Sequence, residues 1–166
     1  GLDLKTQVGI DYHNGRGQSY TPFKPHQIID MNANGEASAS NSNSLYWQEE
    51  TYLTYLKDFG KHHLNAMAGA SWQARKYTYF SAYDSKFMDD YYGFYNLGSG
   101  TEKPSVGSDY DKWAMNSYFL RLAYNWNNTY MATVTGRYDG SSKFGENNKY
   151  AFFPSVGLGW LASNEK

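Results

Sequence analysis

No cysteine occurs in this chain, so neither a disulfide framework nor a thiolate metal site is available to it. No run of about 18 apolar residues occurs either, which excludes crossing a membrane by an α-helix and leaves crossing by strands open. Charge of one sign is lacking: 15 Lys and Arg offset 16 Asp and Glu over 166 residues. That balance gives no electrostatic case for a nucleic-acid partner. Catalytic signatures are missing as well. No nucleophile elbow, Walker loop or zincin helix is present, so nothing argues for an enzyme or for a cofactor.

What the chain has in abundance is aromatic residues, 17 Tyr, 9 Phe and 5 Trp, set in a two-residue rhythm. The clearest example puts Tyr118, Leu120, Leu122, Tyr124 and Trp126 on one side and Phe119, Arg121, Ala123 and Asn125 on the other. Side chains alternate across a strand, so this is a β-strand with one apolar and one mostly polar face. After Asn127-Asn128-Thr129 the pattern resumes with Tyr130, Ala132, Val134 and Tyr138 against Thr133, Thr135, Arg137 and Asp139. A soluble domain hides such a face in a core; a membrane barrel turns it to lipid and keeps the polar face for its lumen.

Six strands are expected in all. The first alternates over Leu2–Tyr12, followed by an irregular Gly-, Asn- and Ser-rich stretch from His13 to Ser44. Trp47, Thr51, Leu53 and Tyr55 mark the second, and a tight connection at Lys57–His62 leads to the third, with Leu64, Ala66, Ala68, Ala70, Trp72 and Ala74 outward. A second excursion, Lys76–Lys112, precedes the Tyr118 and Tyr130 strands, and a third, Gly140–Lys149, precedes Phe152–Trp160. Pro154 there should lie near a strand end or a bulge. Short turns alternating with long loops are the signature of an outer-membrane barrel, with Trp126 and Tyr130 at the periplasmic aromatic girdle. Six strands fall short of the roughly eight that close the smallest such barrel, and open edges are not tolerated in hydrocarbon. Other strands must complete the sheet, and the chain reads as a piece of something larger. A passive porin or adhesin barrel fits the same alternation, as does a soluble glycan-binding β-sandwich.

Candidate sites are few. The aromatic stretch Tyr77–Tyr95 offers Tyr83, Phe87, Tyr91, Tyr92, Phe94 and Tyr95 for stacking on sugar rings or on a partner protein, with mutual packing of the same rings as the competing explanation. His62-His63 diverge on a strand, and His13 and His26 lie in no ordered ligand pattern. Asp89-Asp90 and Asp109-Tyr110-Asp111 lack the ligand count of a calcium loop. Glu49-Glu50 point apart and cannot share one substrate bond. No metal site is expected. Arg137 and Arg121 fall on the non-lipid face, where Asp139 is a natural partner for Arg137, and Asp139-Gly140-Ser141-Ser142 has the composition of a turn.

Several segments resemble the SusC/RagA-type TonB-dependent transporters of Bacteroidetes outer membranes. The strongest is SYFLRLAYNWNNTYMATVTGRYDGSSKFG, which carries that family's Arg-x-Asp-Gly-Ser-Ser-Arg-Phe-Gly as Arg137, Asp139, Gly140, Ser141, Ser142, Phe144 and Gly145, with Lys143 in place of the usual Arg. FPSVGLGW follows, with Pro154, Gly159 and Trp160 at the family positions; WQEETYLTY and GLDLKTQVGIDY match more weakly. The resemblance implies an all-β antiparallel segment of a transmembrane barrel of roughly twenty-two strands. Residues 1–166 would belong to the barrel domain, with the plug and N-terminal domain elsewhere in the parent. It further implies import of oligosaccharides or oligopeptides, a SusD/RagB-like surface lipoprotein, energising by TonB-ExbB-ExbD through the plug, and outer-membrane lipid around the wall.

Overall fold

The computed structural model describes residues 1–22, 35–145 and 147–165. They form one six-stranded sheet in the order β1-β2-β3-β4-β5-β6, each strand beside its sequence neighbours. The strands are β1 (Leu2–Thr21), β2 (Gly35–Phe59), β3 (His62–Phe87), β4 (Ser105–Trp126), β5 (Tyr130–Ser141) and β6 (Tyr150–Trp160). Three short 3-10 turns, at Gly93–Tyr95, Leu97–Ser99 and Ala162–Asn164, are the helical content among the described residues. By internal contact the chain divides into two compact units. The first comprises Gly1–Ile10, Tyr46–Arg75 and Trp113–Lys166, and the second Asp11–Leu45 and Lys76–Lys112.

In the first unit the antiparallel register turns the sequence alternation into rows. Leu122 pairs with Val134 and Val134 with Val156; Tyr124 pairs with Ala132 and Ala132 with Leu158. Between them run the other-face rows, Arg121 with Thr135 and Ser155, and Ala123 with Thr133 and Gly157. Burial is inverted relative to a soluble domain. Among the described residues Ala37 and Phe87 are the buried apolar side chains, against Ser71, Asp84, Ser117 and Thr129 as buried polar ones, while Leu158 is 84% and Ile10 72% exposed. A β-sandwich needs two stacked sheets over an apolar core. These strands make one sheet without such a core, and the sandwich alternative falls.

The two short connections follow turn chemistry. β2 and β3 are joined by Gly60-Lys61, tighter than the Lys57–His62 expected, with Gly60 at φ +61°. Positive φ at the first central residue is what primed hairpin turns require, and glycine adopts it without strain. Between β4 and β5, Asn127 and Asn128 take φ of +53° and +52°, the paired positive values of a type I′ turn. Thr129 N–H closes that turn on Trp126 O at 3.0 Å. The two turns sit together, because Asn127 N–H donates to Lys61 O at 2.7 Å.

Three expectations are corrected. β1 continues through His13 to Thr21 and β2 starts at Gly35, so much of the His13–Ser44 stretch is strand; His26 lies outside the described residues. β3 runs on to Phe87 and β4 begins at Ser105, which shortens the Lys76–Lys112 excursion and puts Asp109 and Asp111 on a strand. The reason is length. A bilayer needs strands of about 9–11 residues, and β1 to β4 have 20, 25, 26 and 22. Beyond the lipid a strand has no apolar face to display, so its two-residue rhythm fades although its ladder continues. Pro154, third, lies inside β6 opposite Gly136 rather than at an end. Ser141 N–H donates to Lys149 O and Leu161 N–H to Thr129 O, so the odd-numbered β5 residues carry the bonds to β6. Gly136–Pro154 is then a non-bonded pair, and the missing donor faces away from β5.

Candidate functional site

The outward surface of the first unit is an apolar band between two aromatic rims. On the short-turn side stand Trp126, Tyr130 and Trp160, paired across β4, β5 and β6, with the Trp126 and Tyr130 rings stacked at 5.5 Å and 24°. Tyr118, Tyr138 and Phe152 form the other rim, where Tyr138 stacks on Tyr150 at 4.9 Å and 14°. Eight residues separate Tyr118 from Trp126, about 27 Å along a strand. A tilt of roughly 40° turns that into about 20 Å of bilayer, close to the apolar band of outer-membrane barrels.

The short-turn rim is held by its own polar contacts. Tyr130 Oη and Trp160 Nε1 both donate to Glu165 Oε2, at 2.6 and 2.9 Å. The Tyr130 hydrogen bond, then that of Trp160, holds the Glu165 carboxyl below its ordinary range. Asn164 Nδ2 donates to Asn128 O at 3.0 Å, and buried Thr129 donates to Asn127 O at 3.1 Å. His62 stacks on Phe59 at 5.0 Å and hydrogen-bonds the Tyr124 hydroxyl, and His63 pairs with Asp58 at 2.6 Å. The two histidines thus engage different partners. Among the described residues no cluster of His, Asp or Glu suits a metal.

The inward face carries the polar work. Arg137 Nε donates to Asp139 Oδ1 at 2.7 Å, and its Nη2 reaches the buried Ser117 Oγ at 3.1 Å. Ser142 ties β5 to β4 twice, its N–H to Ala114 O and its Oγ to Ala114 N–H, both at 2.9 Å. Phe144 N–H donates to Ser141 O at 3.2 Å and Asn148 N–H to Gly145 O at 3.0 Å. Arg137 to Gly145 is therefore a knot at the long-loop end of β5, with Gly140 packed against Tyr150. At β6, Gly159 lies against Met131 and Trp160 belongs to the short-turn rim.

In the second unit the aromatic candidates part company. Phe87 is buried, edge-on to Tyr20 at 5.9 Å, so it is a packing residue and not an open stacking platform. Tyr83 is half-exposed on β3. Beyond Phe87 the chain leaves the ladder, and Tyr91 (85% exposed) meets Tyr92 edge-on at 4.9 Å. Phe94, half-buried, lies 4.4 Å from the ring of Tyr95, which is 81% exposed. Tyr91, Tyr92 and Tyr95 are the open rings. No spacing or motif signals the contacts around them: Tyr20 donates to Asp90, seventy residues away, while Lys86 pairs with Glu102 and Thr101 Oγ1 donates to Lys86 O at 3.0 Å. Tyr20 lies beyond the apolar stretch of β1. Burial first, then the Asp90 hydrogen bond and the Asp90 and Asp89 charges, push its phenol up to about 12.

A one-layer sheet with polar groups tucked in, apolar groups out, aromatic rims and paired short turns is a stretch of transmembrane β-barrel wall. The sequence profile described as TonB dependent receptor-like, beta-barrel matches residues 1–165, and the chain belongs to that family. It is 34% identical over 166 residues to TonB-dependent receptor P3 of Formosa agariphila, covering 99% of this chain and 16% of that protein. To TonB-dependent receptor SusC of Bacteroides thetaiotaomicron it is 28% identical over 171 residues, 98% of this chain and 16% of that one. Its fold superposes on the RagAB peptide transporter with a TM-score of 0.89 at 26% identity, covering 99% of this chain and 18% of that one. The chain thus spans about a sixth of the relatives it matches, a segment of an outer-membrane barrel of the SusC/RagA type.

Proposed function

We propose that the parent protein is an active importer of oligosaccharides or oligopeptides across the outer membrane, and that this chain is part of its wall and mouth. One observation carries the reading: strands of 20 to 26 residues, far longer than a bilayer needs, lead to a tip where Tyr91, Tyr92 and Tyr95 stand open. A porin wall needs no such extension, whereas a mouth that captures cargo or seats a lid does. SusC and the RagAB peptide transporter, to which the chain is similar along nearly its whole length, support an importer and leave the choice between glycan and peptide open. On this reading a SusD/RagB-like surface lipoprotein meets the tip, and a plug elsewhere in the parent couples to TonB-ExbB-ExbD. Tyr83, Tyr91, Tyr92, Phe94 and Tyr95 make the tip's stacking surface, and Phe87 holds it in place. The chain itself does no covalent chemistry.

Labelled-substrate uptake measured beside surface binding, with and without an uncoupler, is the test. Binding that persists while uptake stops is the expected result. Uptake that continues in uncoupled cells means a passive pore, and binding without any uptake means an adhesin.

A further inference from the structure

The short-turn rim holds two adjoining hollows of opposite character. The first is an outward groove of about 680 Å³ lined by His62, Tyr124, Trp126, Ala132, Leu158 and Trp160. Its origin is a single small side chain: in the row Tyr124–Ala132–Leu158 the middle position is alanine, so the floor drops between two large neighbours. The second hollow, about 600 Å³, lies at the turns and includes Lys61, Asn127, Asn128 and Glu165. Trp126 and Tyr130, stacked on each other, line both and form the wall between them. An apolar channel on one side of an aromatic rim and a polar recess on the other is the negative image of an amphiphile. In a barrel of this family the groove opens into the membrane, so the membrane supplies its occupant.

We propose that this rim binds one phospholipid, with an acyl chain in the groove over Ala132 and a zwitterionic headgroup, phosphate plus primary ammonium, in the recess between Lys61 and Glu165. Lys61 is exposed and enters no ion pair among the described residues, which leaves its ammonium for the phosphate. The two donors on Glu165 converge on Oε2, and Oε1 receives none among the described residues, which leaves it for the lipid ammonium. Those donors keep the carboxylate ionised, and they pin it beside the rim. Both volumes are on the scale of ordinary small-molecule sites. A lone cation would select an anionic headgroup; a cation and an anion in one recess select a zwitterion.

The full-length transporter, delipidated in detergent and offered an equal mixture of phosphatidylethanolamine and phosphatidylglycerol, should retain one phosphatidylethanolamine in native mass spectrometry. Ala132→Met, which fills the floor, and Lys61→Ala, on an exposed turn, should each lower that retention about tenfold, the effect of roughly one good contact. Glu165→Gln should erase the preference for phosphatidylethanolamine while leaving phosphatidylglycerol binding in place. Heat-modifiable gel mobility checks that each variant is folded. Equal retention by wild type, Ala132→Met and Lys61→Ala overturns the site, and wild-type preference for phosphatidylglycerol overturns the zwitterionic headgroup.

Discussion

Leu122 and Arg121 are adjacent in sequence and face different media, and at the scale of single residues that contrast organises the protein. Replacing Leu122 or Val134 by Arg in the complete barrel should cost about 2–4 kcal/mol near the bilayer midplane, whereas Ala123→Arg or Thr135→Arg, on the lumen side, should cost much less. Folding into lipid vesicles compares the four, and equal penalties would mean that the faces are assigned wrongly. Gly69 makes a different prediction. A Cβ there would stand 2.6 Å from Tyr52 Cβ and 2.7 Å from Thr51 O, under the ring of Phe119. Gly69→Val should therefore destabilise the wall by about 1–3 kcal/mol, as overpacking does, readable as a lower denaturant midpoint. The parity of Leu122 and the Arg137–Asp139 pair was legible in the sequence because lipid selects apolar atoms at every second position and the pair is two residues apart. The Tyr20–Asp90 contact and the burial of Asp84 were not, because they depend on chain brought together from distant positions.

At the scale of elements, the hairpins in the bilayer announce themselves and their extensions do not. Turn chemistry at Gly60 and Asn127-Asn128 located the short connections to within a few residues. The upper halves of β1 to β4 were invisible, because a two-sided polar strand has the composition of a loop; only hydrogen-bond partners distinguish the two. Gly60→Val forces a branched side chain into left-handed backbone and should cost about 1–2 kcal/mol, again as a shifted unfolding midpoint of the full barrel. The tip of the second unit has a pH signature. A phenol whose folded pKa is raised keeps its proton more tightly than when unfolded. The Tyr20 contact therefore contributes fully below about pH 10. That contribution is lost as pH rises through about 12. The difference in tyrosinate absorbance between wild type and Tyr20→Phe should titrate near the upper value, and a midpoint near pH 10 would mean that the phenol is free. The tip rings themselves are expected to act in capture alone. Tyr91→Ala and Tyr95→Ala should each weaken surface binding of cargo by about 0.5–1.5 kcal/mol while barrel assembly, followed by gel mobility, is unchanged.

For the whole molecule, the described residues build no extended apolar core, so stability must come from what surrounds the sheet. Expressed alone, the chain exposes the outer edges of β1 and β6, so it should aggregate or stay unfolded and not form a monomeric pore; a monodisperse species melting cooperatively in size-exclusion and calorimetry would contradict the barrel-wall assignment. Strand order has a consequence for how such a wall is made. Because the sheet runs β1 to β6 without a crossover, each strand finds its partner next along the chain, and no pairing waits on a distant one. The search is a series of local closures whose entropy grows only slowly with loop length. Two hairpins close the shortest loops of the described strands, and each carries an aromatic clasp: β2–β3 with two connecting residues and the Phe59–His62 stack, and β4–β5 with three and the Trp126–Tyr130 stack. Joined by the Asn127 N–H to Lys61 O hydrogen bond, they are the natural nucleus. In pulse-labelled hydrogen exchange during refolding, the amides of β2 to β5 that flank these two turns should gain protection first, and the wall should then grow outward from them, one neighbour at a time.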